Sequence, residues 1–106
     1  MIAFIVRITA HSGQRAALET LTNALFSDLA GEDAFVSAVV HRAHDAPDDL
    51  VAYEVWNERK DTFVQRLHTS PVFARHEAEM GQLIASRDIT FLDHPPIWTS
   101  SDLPNG

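Results

Sequence analysis

The chain has no cysteine among its 106 residues. Disulfide staples, thiolate nucleophiles, iron–sulfur clusters and cysteine zinc sites are therefore excluded. Basic residues are scarce as well: eight Lys and Arg stand against 15 Asp and Glu, for a formal net charge of −7. Nucleic acid asks for a basic stripe and an anionic bilayer for a basic cluster, so neither is an expected partner. No apolar run approaches the roughly 20 residues of a membrane-spanning helix. The opening MIAFIVRITA has no basic segment ahead of it and no cleavage site behind it, so it reads as a strand and not as a signal peptide. The expected location is the cytoplasm. What the chain does have is a 45% hydrophobic content, enough for one core in one domain.

Residues 2–9 alternate, with Ile2, Phe4, Val6 and Ile8 on one side and Ala3, Ile5, Arg7 and Thr9 on the other. That period of two, in β-branched and aromatic residues, predicts a strand. Residues 14–30 place Leu18, Leu21, Leu25 and Leu29 at helical spacing, with Ser12 as N-cap and Gly31 at the C-terminal stop. Strands are expected over 35–42 and 50–56, joined by a polar turn from His44 to Asp49. Asn57 is a candidate cap for a helix over 58–68, and Ser70-Pro71 restarts a helix running to about Ser86. Residues 87–93 predict a last strand. The resulting domain covers 1–94, followed by a tail over 95–106 without periodicity.

The order β-α-β-β-α-β is the ferredoxin-like split βαβ plan, an α+β fold with a four-stranded antiparallel sheet under helices. The Ile2/Phe4/Val6/Ile8 side has no polar member, so it should pack on the helices. For the third strand the choice is between Leu50, Ala52, Glu54 and Trp56 and the alternate set Val51, Tyr53 and Val55. A carboxylate under the helices is disfavoured, so the first set is expected on the open face with Ile5 and Arg7. Such an apolar face marks an interface, and a second copy of the sheet would cover it, giving a homodimer with a barrel between subunits.

The third strand and the split helix carry a more specific pattern: Val51-Ala52-Tyr53-Glu54-Val55-Trp56, then Phe63 and Val64, then Ser70-Pro71-Val72-Phe73. Over about residues 1–94 the chain resembles the antibiotic biosynthesis monooxygenase family of the dimeric α+β barrel superfamily. That resemblance implies a dimer without cofactor that oxidises a small electron-rich, quinol-like aromatic with O2. It carries over Glu54 and Trp56. Where the aromatic polyketide oxygenases of the family have Asn and Tyr, this chain has Ala52 and Thr62. Where haem-degrading relatives have Trp and His, it has Leu67 and Glu77, with His76 one position away.

Under the expected faces, Arg7 and Glu54 could pair in one cavity, orienting a phenol oxygen and stabilising an enolate. Trp56 would form a flat wall, making Arg7 and Trp56 the substrate-binding candidates. Glu54, His68 and His76 are the candidates for proton transfer, the two histidines because imidazole titrates near neutral pH. Each of these residues also has a purely structural reading. His41, His44 and the acids of the hairpin tip lack a third spaced ligand, so no metal is expected. Trp98 is expected to fasten the tail to a partner subunit. A dimeric small-molecule-binding module without catalysis is the alternative function.

Overall fold

The structure, a computed structural model, describes residues 1–100. The alternating segment Ile2–Ala10 forms strand β1. The other elements are α1 (Arg15–Leu29), β2 (Phe35–Arg42), β3 (Asp49–Trp56), α2 (Lys60–Thr69), α3 (Pro71–Met80) and β4 (Ile84–Leu92). The four strands lie in the order β2-β3-β1-β4, all pairs antiparallel, which is the expected ferredoxin-like sheet with its second helix split in two.

Local signals set most of the boundaries. Ser70 caps α3, its Oγ accepting from the Phe73 N–H at 3.1 Å, and Pro71 occupies the first turn, where a missing N–H does no harm. Other caps differ from expectation. Gln14, not Ser12, precedes α1, because Gly13 takes a φ of +79° and turns the chain between Ser12 and the helix. Arg59, not Asn57, precedes α2. The third helix ends at Met80, short of the expected Ser86. Gly81 follows it, and Ile84 is already paired with Ala10, so sheet hydrogen bonds take the residues that helical periodicity had claimed.

The register decides which face each side chain occupies. Ile2 stands opposite Trp56, Phe4 opposite Glu54, Val6 opposite Ala52 and Ile8 opposite Leu50. Residues directly opposite one another share a face, so Leu50, Ala52, Glu54 and Trp56 lie under the helices. The expected assignment of β3 is therefore inverted. Trp56 is 1% exposed and needs the helix layer to cover it, and Glu54 is carried inward with it. The open face carries Ile5 of β1, Val39 of β2, Tyr53 of β3 and Leu92 of β4, all exposed. Arg7 is also on that face, where its guanidinium pairs with Asp49 at 2.8 Å.

Residues 93–100 contain no helix or strand. Trp98 is 77% exposed there, away from the core. The rest of the expected tail, 101–106, lies outside the described residues. No helix of the described residues is long and apolar enough to cross a membrane.

Candidate functional site

Alternation in β1 and β3 floors a cavity of about 250 Å³ between the sheet and the helices. Phe4, Val6 and Ala52 form the floor, and Leu25, Phe73 and Met80 close it from the helix side. Glu54 is a charged-type side chain set into this apolar floor. It is 7% exposed, and its Oε1 accepts a 3.0 Å hydrogen bond from Trp56 Nε1. No other donor among the described residues bonds to its carboxyl. Burial pushes the Glu54 carboxyl up to about 7, and the indole N–H pulls weakly the other way. A carboxyl with that titration point can both take and return a proton near neutral pH.

Trp56 is held on several sides. The Phe35 ring meets it edge-on at 5.3 Å, and the Phe63 ring lies 5.4 Å away. The Arg66 guanidinium sits over the indole at 5.0 Å, within cation–π range. Arg66 is itself fixed by Glu58 at 2.6 Å and Glu32 at 2.7 Å. The indole that donates to Glu54 is thus packed and cannot swing away. Arg66 was not among the residues singled out by sequence. Its signal was the three-residue spacing from Phe63, which puts both on one helix face.

The other expected residues are placed elsewhere. Arg7 does not line the cavity. It stands on the opposite face of the sheet from Glu54, so the expected Arg7–Glu54 pair does not form and the Arg7–Asp49 pair takes its place. His76 is buried, but it points from α3 toward α1, where its Nε2 lies 2.6 Å from Asp28 Oδ2. Arg75 reaches the same oxygen at 3.1 Å. The His76 hydrogen bond, with help from Arg75, holds the Asp28 carboxyl below its usual range. His76 therefore joins two helices and is not in the cavity wall. His68 is exposed on α2 and also lies outside the lining. Among the described residues, no group of three or more His, Asp or Glu side chains is placed to hold a metal ion.

The family model described as antibiotic biosynthesis monooxygenase matches residues 1–78. No curated protein matches the sequence. Solved structures match the fold over most of the chain. SnoaB, a cofactor-independent oxygenase from Streptomyces nogalater, is 23% identical with a TM-score of 0.76, over 90% of this chain and 93% of that one. Rv0793 from Mycobacterium tuberculosis is 25% identical with a TM-score of 0.74, over 94% and 98%. PA3566 from Pseudomonas aeruginosa is 23% identical with a TM-score of 0.74, over 86% and 90%.

Proposed function

The chain belongs to the antibiotic biosynthesis monooxygenase family, and from that premise we propose that it is a cofactor-independent monooxygenase of a small, electron-rich, quinol-like aromatic. The observation that carries this reading is the Glu54 carboxyl, buried in an apolar cavity with one hydrogen bond and a titration point of about 7. An engineered apolar cavity of about 150 Å³ takes benzene. The 250 Å³ present here suits a compound of one or two rings.

In the proposed reaction Glu54 takes the proton of a phenol hydroxyl. The resulting anion passes one electron to O2, and the radical pair joins at a ring carbon to form a peroxide. Glu54 returns the proton to the outer peroxide oxygen. The O–O bond breaks, one oxygen stays on carbon as a quinone carbonyl, and the other leaves as water with the two hydrogens lost by the substrate. The apolar walls keep bulk water from the anion. Trp56 offers the ring a flat surface and holds the carboxyl in place.

Oxygen uptake with a panel of one- and two-ring hydroquinones tests the reading. Uptake should rise with pH through about 7, as Glu54 loses its proton, and Glu54→Gln should lower it about a hundredfold or more. Uptake indifferent to that substitution would overturn the assignment. Ala52, in the cavity wall where the resemblance gives Asn, favours the second reading, a binding module of the same fold. Hydroquinone binding without uptake would decide for it.

We further propose that the active form is a homodimer in the cytoplasm. The exposed Ile5, Val39, Tyr53 and Leu92 of the open face support a second copy as the cover. Sedimentation should give a dimer of the 11.8 kDa chain. Ile5→Asp, which sets an unpaired charge in that face, should give the monomer.

A further inference from the structure

A second, more open chamber of about 360 Å³ adjoins the first at the β2 edge of the sheet. Thr22 of α1, Val40 of β2 and Leu50 of β3 line both spaces. Val40 stands opposite Ala52 and so faces the helices, yet it is 39% exposed. The helix layer leaves the cavity open at that point, and the three side chains form a sill between the two chambers.

The two chambers differ in chemistry. Beyond the sill, polar side chains join the wall: Glu19, Asn23 and Arg42. Glu19 is shared by Arg42, whose Nε and Nη2 each lie 3.0 Å from one carboxylate oxygen, and by Arg15 one helical turn earlier. Two guanidinium groups therefore meet one carboxylate, on a chain whose net charge is −7. Arg42 keeps Nη1 free of hydrogen bonds among the described residues, and its side chain is 70% exposed.

Strand geometry links this chamber to Glu54. At about 3.4 Å per residue, Ala52 lies about 7 Å along β3 from Glu54 and Leu50 about 14 Å. The Val40–Ala52 rung is the sill, and the Arg42–Leu50 rung is the chamber beyond it. We infer that the outer chamber is a subsite for an anionic substituent of the substrate, a one- or two-ring hydroxyarene whose carboxylate passes Val40 to reach Arg42. The inference rests on the function proposed above and narrows its substrate class. The free guanidinium N–H and the Asn23 amide supply donors for a carboxylate. The opposite orientation would set the carboxylate against Glu54.

Fluorescence titration of the full chain with 2-naphthol and 6-hydroxy-2-naphthoate tests it. The carboxylate compound should bind about five- to tenfold more tightly at low salt, and the advantage should shrink as salt rises. Arg42→Met should abolish the advantage while leaving 2-naphthol binding unchanged, and Arg42→Lys should restore part of it. Val40→Trp should weaken both compounds by filling the sill. Equal affinities in the native chain, or an advantage that survives Arg42→Met, would overturn the subsite. If 2-naphthol binds without any carboxylate preference, the subsite fails and the proposed function stands. If neither compound binds, the subsite falls, and oxygen uptake with the hydroquinone panel decides the proposed function separately.

Discussion

The sheet has two apolar faces that do opposite things. On the helix side, Phe4, Val6, Ala52 and Trp56 surround a cavity and one buried carboxyl. On the open side, Ile5, Val39, Tyr53 and Leu92 present exposed apolar surface, with the Arg7–Asp49 pair toward one end. Both faces contain an acid, and their surroundings treat the two differently. Asp49 has a guanidinium at 2.8 Å. Glu54 has only an indole N–H, and burial drives its titration point up to about 7. A paired acid holds structure, whereas an acid without a cation inside a cavity is poised to exchange a proton.

The largest effect expected from breaking this contrast is at Trp56. Trp56→Ala should lose about 3–5 kcal/mol in urea unfolding, because the side chain is 1% exposed. Tyr53→Ala, on the open face of the same strand, should lose less in the fold and show its loss as weaker dimerisation. Next in size is the pH dependence of stability. The folded Glu54 binds its proton more tightly than the unfolded chain does, so stability should fall as pH rises from 4.5 to about 7 and then level off. The Glu54 contribution is about 3 kcal/mol over that window, and Glu54→Gln should remove it from the profile. The smallest effect is at Arg7. Its side chain is half exposed, so Arg7→Met should cost about 1 kcal/mol, as partly solvated pairs do. A loss as large as that of Trp56→Ala would mean that the Arg7–Asp49 pair is buried inside the dimer interface and not at its solvated rim.

Much of the fold was legible because it is written locally. The alternation of β1, the polar hairpin tip and the Ser70-Pro71 restart each point to one structure. The face of β3 was not, since both of its alternating sets are mostly apolar. Glu54 tipped the reading outward through the rule that charge avoids burial. That rule gives way here because the carboxyl titrates near neutrality and so need not be charged, and because Trp56 brings far more apolar area to cover. Weighing the indole above the carboxylate would have chosen the right face. His76 stood out in the sequence as a candidate for proton transfer, but its partner Asp28 lies 48 positions away and no local pattern announces it. Glu54 and Trp56 were legible as a pair through the strand-end motif. Their contact with Arg66 depends on how α2 packs back over β3.

Glu54 lies in the cavity as an acid poised near neutral pH. Carbon-13 NMR of the chain with glutamate labelled at the side-chain carboxyl reads this directly. One carboxyl resonance should titrate with a midpoint near 7 and be missing in Glu54→Gln, with the Trp56 indole N–H moving at the same pH. A native spectrum in which every glutamate titrates at or below the ordinary value of 4.5 would contradict it.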